Sequence, residues 1–201
     1  MLFDVSQIIL SFGYAALFAI IFAETGLLIG FFLPGDTLLF TAGILAAKGF
    51  VSLPAVIVIC FAAAVIGDSF GYYLGKRFGK GIFLKNDPHF MDSYLNKENL
   101  EKTRSFFKKY GVKTIFFARY IPIVRTIAPT LAGTADMNYV SFLKYNVLGA
   151  LAWVITVTLA GFFFGTVIPD ALEIISVVVI CIIIISVSAP FIYRRMRRKK
   201  Q

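Results

Sequence analysis

Five ionisable residues stand where the sequence otherwise reads as hydrocarbon. Glu24 lies in IIFAETGLLIG, Asp36 in FFLPGDTLLF and Asp68 in AAAVIGDSFGYYLG, while Arg119 and Arg125 share the run FFARYIPIVRTIAPTLAG at 116–133. An arginine at the centre of a bilayer helix costs about 2.5–3.5 kcal/mol on insertion scales. Residues kept at that cost face a cavity, pair with one another, or mark a substrate or proton pathway.

The residue types suggest which of these holds. Guanidinium forks match phosphate oxygens bidentately and stay charged at any physiological pH, so Arg119 and Arg125 suit an anion. Backbone N–H groups freed after Pro122 and Pro129 would add donors, as helix N-termini do for anions. A carboxylate beside such a site can exchange a proton, and Glu24 and Asp36 are expected to couple the anion to proton movement. The competing reading is an internal ion-pair network that only fixes how the segments dock. Asp68 fits a further polar site or a helix-packing residue equally well. Pro34-Gly35-Asp36 also reads as an ordinary turn, with Asp36 accepting from the backbone that follows. Lys144 and Asn146 read as interface anchors at the start of a span.

Other chemistries find little support. The one histidine, His89, sits in a polar loop, which argues against a histidine metal site. Cys60 and Cys181 each lie in an apolar run and read as buried thiols. No nucleophile–base pair is visible, so an enzyme such as a membrane phosphatase is disfavoured.

The elements that must hold these charges are membrane segments. The 201-residue chain is 59% hydrophobic with 22 Phe, and its mean hydropathy is +0.83; a soluble domain is usually about 45–50% apolar. Apolar blocks run roughly over 8–33, 37–47, 52–75, 112–133 and 146–193, the last split by Pro169-Asp170. Spans are expected at about 52–75, 146–168 and 171–193. The segments at about 24–46 and 116–133 are short and interrupted by Pro34-Gly35, Pro122 and Pro129. Broken backbone at membrane depth survives only inside protein or along a wet cavity, so both read as re-entrant.

Charge supports that topology. The net charge of +9 is concentrated in the loop from Lys76 to Lys113 and in the tail RRMRRKK. Basic clusters beside spans face the cytoplasm, which places the loop and the C-terminus on one side. An even number of crossings must separate them, and a re-entrant 116–133 satisfies this. The tail reads as a topology determinant rather than a nucleic-acid contact. The N-terminus lacks a basic n-region and is expected to be retained. In the loop, FMDSYLNKENLEKTRSFFKKYG predicts an amphipathic helix ending at Gly111.

A weak internal repeat is present. Phe22-Ala23-Glu24 and Pro34 match Phe117-Ala118-Arg119 and Pro129 at an offset of 95, and Gly75 and Gly79 match Gly161 and Gly165 at an offset of 86. The expected organisation is one membrane domain: a first repeat over about 20–79, a cytoplasmic loop over 80–111, a second repeat over 112–168, a final span and the tail 194–201. The assigned topology makes the repeats inverted, a pattern that points to a transporter site near the midplane. Gly67, Gly71, Gly75 and Gly79 recur every fourth residue and predict a closely packed helix face.

Three motifs resemble the DedA family, whose shared region is also called the SNARE-associated or VTT domain. They are FAETGLLIGFFLPGDTLLFTAG at 22–43, GDSFGYYLGKRFG at 67–79 and FFARYIPIVRTIAPTLAGTADM at 116–137, joined by an NxxGAxxW element from Asn146 to Trp153. The resemblance covers most of residues 20–165. It implies an all-α bundle with two opposed re-entrant hairpins and a role in moving lipids between leaflets of the inner membrane. Bacterial members are linked to undecaprenyl phosphate recycling, others to phosphatidylethanolamine, and members to the proton-motive force. Carried over by motif, Glu24 and Asp36 match the family's membrane acids, and Arg119 and Arg125 its essential arginines. The partners then expected are a phosphate lipid, protons and the bilayer, with no metal, cofactor or nucleic acid; a homo-oligomer is compatible with this. A structural or assembly factor is the rival of another class.

Overall fold

The computed structural model describes residues 5–27, 33–79, 105, 107 and 110–168. Every regular element in them is helical: α1 (Val5–Gly26), α2 (Gly35–Ala47), α3 (Leu53–Leu74) running into a π-helical turn (Gly75–Gly79), α4 (Thr114–Ala118), α5 (Pro122–Thr134) and α6 (Tyr139–Val167). Two of these, Leu53–Phe78 and Tyr139–Val167, are long and apolar enough to cross a membrane. Their outward faces carry Val58, Ile66, Phe70, Leu148, Leu151 and Phe163 exposed, a surface suited to lipid. The expected final span at 171–193, the basic tail and most of the 80–111 loop lie outside the described residues. At the end of that loop Gly111 takes φ 72°, and its N–H reaches Phe107 O at 2.9 Å, as the expected C′ glycine should.

Proline chemistry sets the breaks. Pro122 occupies the first turn of α5, and Ile121 before it is extended at φ −113°, ψ 107°, the conformation a following proline imposes. The residues between α4 and α5 close a tight turn, with Tyr120 N–H on Phe117 O and Ile121 N–H on Ala118 O. Pro129 corrects the sequence reading: it lies inside α5 and does not break it. It cannot donate to the Arg125 carbonyl, yet the helix continues, because the buried ring is held by packing against Gly71, where a Cβ would sit 3.6 Å from Pro129 Cβ. Pro34 is the N-cap residue of α2 and Gly35 its first residue, so Pro-Gly-Asp opens a helix instead of forming an isolated turn.

Helix α6 begins seven residues before the expected span. Asn138 Oδ1 accepts the Ser141 N–H at 3.1 Å and caps the helix there. Asn146 therefore falls inside the helix, fully buried, and is no interface anchor.

The chain divides into two compact units. The first comprises residues 1–33 and 57–156, the second 34–56 and 157–201. In the first, Tyr72, Ile115, Ala118, Ala128, Ala132 and Phe142 form a core, and Tyr72 donates its hydroxyl to the Met137 carbonyl. In the second, α2 packs on the end of α6 through Ile44, Phe40 and Phe164, the two rings 5.6 Å apart.

Each unit contains the same crossing of small residues. In the first, a Cβ on Gly75 would overlap the Thr130 carbonyl and one on Gly133 the Tyr72 carbonyl. In the second, a Cβ on Gly161 would overlap the Phe40 carbonyl and one on Gly43 the Thr158 carbonyl. The four positions correspond pairwise, at an offset of 86 between α3 and α6 and of 90 between α2 and α5. The shorter helices thus align at 90, not 95, and Pro34 does not correspond to Pro129. The difference is taken up in the connection that follows Glu24, which is longer than the one that follows Arg119. These crossings also exchange partners: α2, from the first sequence repeat, packs on α6 of the second, while α5, from the second, packs on α3 of the first.

Candidate functional site

Four of the five intramembrane charges meet in the first unit. Glu24 sits in the last turn of α1, whose end is clamped on α3: a Cβ at Gly26 would lie 2.8 Å from the Gly67 carbonyl oxygen. Asp68 follows Gly67 directly, so the same close approach brings both acids to one place. Arg119 stands in the turn that Pro122 enforces. Arg125 lies one turn into α5, its N–H on Ile121 O at 3.0 Å.

These residues pair across the helices. Arg125 Nη2 donates to Glu24 Oε1, and Arg119 Nη2 donates to Asp68 Oδ2. Arg119 Nη2 also donates to Asn146 Oδ1 at 2.6 Å. The Asn146 amide is oriented in turn, because its Nδ2 donates to Val65 O at 3.3 Å. All four charged residues are at most 6% exposed. Two guanidinium groups and two carboxylates sum to zero formal charge, the arrangement that makes burial tolerable.

Trp153 forms the floor. Its ring centre lies 4.8 Å from the Arg125 guanidinium carbon and 5.9 Å from that of Arg119, within reach of cation–π attraction. Asn146 and Trp153 are two turns apart on α6, and Gly149 between them leaves room for Arg119, whose Cδ would be 3.1 Å from a Cβ there. Asparagine, glycine and tryptophan at this spacing thus form one face. The residues alone give Asn146 as an interface anchor and assign nothing to Trp153, although the NxxGAxxW element contains both.

Asp36 lies in the second unit. It is the acid in the first turn of α2, half-buried, where its charge complements the helix N-terminus. Within the first unit, Asp68 joins the arginine cluster alongside Glu24.

The family model of the VTT domain matches residues 33–163. The chain belongs to the DedA family of VTT-domain membrane proteins. Protein DedA of Escherichia coli K12 is 43% identical over 93% of this chain and 84% of its own. An uncharacterized membrane protein of Mycobacterium tuberculosis is 39% identical over 94% of this chain and 86% of its own. Inner membrane protein YqjA of E. coli K12 is 35% identical over 76% of this chain and 67% of its own. No solved structure matches the chain. Among DedA-family chains this one is all-helical in its described residues and membrane-embedded, with its buried charges gathered by α1, α3, α5, α6 and the α4–α5 turn.

Proposed function

We propose that this DedA-family protein is a lipid transporter that moves undecaprenyl phosphate across the inner membrane for carrier-lipid recycling, driven by the proton-motive force. One observation carries the reading: two guanidinium groups are buried on a single indole, each facing a carboxylate from another helix. A lipid phosphate is an anion on an apolar tail, and its carrier needs buried cations that can exchange one anionic partner for another. Arg119 and Arg125 receive the phosphate, while Glu24 and Asp36 exchange protons. The inner-membrane location draws on the name of the relative YqjA. The connections α1–α2 and α4–α5 are read as two opposed re-entrant hairpins of an inverted repeat, with the C-terminus cytoplasmic.

Transbilayer movement of undecaprenyl phosphate in proteoliposomes tests this, with Arg125→Ala as the paired variant. Wild-type movement that the folded variant loses supports the reading. No movement under an imposed proton gradient removes this lipid, and phosphatidylethanolamine then takes first place. Glu24→Gln and Asp36→Asn should each lose proton-driven movement; unchanged transport in both would remove the coupling role. The zero net charge of the cluster favours one rival, a structural factor whose charges only lock the helices. That rival requires the charge-removing variants to unfold, which size-exclusion chromatography in detergent decides.

A further inference from the structure

We propose that Asp68 is the displaceable counterion of Arg119: a phosphate group binds by taking its place on the guanidinium as Asp68 takes up a proton. This rests on the phosphate reading above and assigns a residue and an exchange to it. The first support is the valence of Arg119. Its Nη2 is shared between Asp68 and Asn146, while its Nε is buried without a hydrogen-bond partner among the described residues. Nε and Nη2 form one edge of the guanidinium fork, and Asp68 occupies that edge through a single oxygen. A phosphate would use both donors, the bidentate geometry that guanidinium favours.

The second support is the neutral acceptor. Asn146 accepts from Nη2, carries no titratable group and has its amide fixed by Val65 O, so it can hold the direction of the fork during the exchange. The third is charge. Among the described residues of the first unit, Asp68 is gathered with Glu24 from α1, Arg119 from the α4–α5 turn and Arg125 from α5, with neutral Asn146 and Trp153 from α6. Their sum is zero, so a singly charged phosphate enters without leaving net buried charge only if one carboxylate is neutralised. The proton comes from the aqueous phase and ends on the Asp68 carboxyl; no covalent bond to phosphorus changes.

Trp153, the only tryptophan of the chain, reports occupancy directly. Its fluorescence is titrated with methyl dodecyl phosphate, a phosphodiester of fixed charge, on the full chain in detergent. Wild-type affinity should fall as pH rises, by up to about tenfold per pH unit, with uptake of about one proton per phosphate bound. Calorimetry in buffers of different ionisation enthalpy measures that uptake. Asp68→Asn should bind with no pH dependence and no proton uptake, and the exchanged pair Asp68→Asn with Asn146→Asp should regain both. Wild-type binding without proton uptake overturns the proposal whether or not any variant folds, as does uptake that persists in Asp68→Asn. Those outcomes leave the transporter reading standing. Absence of wild-type binding and of transport together overturns both. Inorganic phosphate binding as tightly as the alkyl diester would overturn the lipid assignment and leave the exchange intact.

Discussion

At the scale of single residues, the cluster is held by neutral groups as much as by charged ones. Asn146 supplies an oriented acceptor and Trp153 a polarisable face, so each can be tested apart from the ion pairs. Asn146→Leu should destabilise the protein by about 1–3 kcal/mol, the cost of stranding a buried donor, read as a lowered melting temperature in detergent. Trp153→Ala should cost about 3–5 kcal/mol as a core truncation and also abolish transport; a variant as stable and active as wild type would show that the indole does not hold the arginines. The charged residues were legible from their types alone, because charge inside an apolar run is conspicuous. Their partners were not. Asp68 and Arg119 are separated by 51 residues and Glu24 and Arg125 by 101, and no local spacing encodes contacts of that range. Asn146 was misread for a related reason: the cap at Asn138 starts the helix early and turns an apparent end into an interior position.

At the scale of elements, backbone approach decides the packing. Gly43 and Gly133 each meet a carbonyl of the facing helix, whereas Gly13 in α1 has nothing within 4 Å. Gly43→Ala and Gly133→Ala should therefore each lose about 1–3 kcal/mol through overpacking. Gly13→Ala should be neutral or gain up to about 1 kcal/mol from helix propensity. Thermal unfolding of the three variants checks this, and equal effects at all three sites would remove the crossing as a packing determinant. Apolar length located the two long helices, and reading prolines as breaks in an apolar block located the break at Pro122. The same reading misled at Pro129, because an interior proline can be carried by tertiary packing that no local pattern records. The repeat was visible through its glycines, but its register for the short helices emerged only from which carbonyl each glycine meets.

At the scale of the whole molecule, charge distribution governs orientation. The basic loop and basic tail predict that the C-terminus faces the cytoplasm. A Gln201→Cys variant in a background with Cys60→Ala and Cys181→Ala should react with an impermeant maleimide only after the membrane is opened. Labelling in intact cells would invert the orientation and, with it, the sense in which a proton gradient could drive the cluster.

The exchanged crossings bear on how the chain is made. Ribosomes release α2 long before the segment at 157–167 that its glycine face requires, and α3 waits likewise for α5. During synthesis each early helix exposes carbonyls and a small-residue groove with no partner yet built, so neither sequence half can finish its packing alone. Nascent α2 and α3 therefore need shelter at the site of insertion until the second half arrives. Two fragments parted in the 80–111 loop should assemble only when translated together, and each alone should be a substrate for membrane proteolysis.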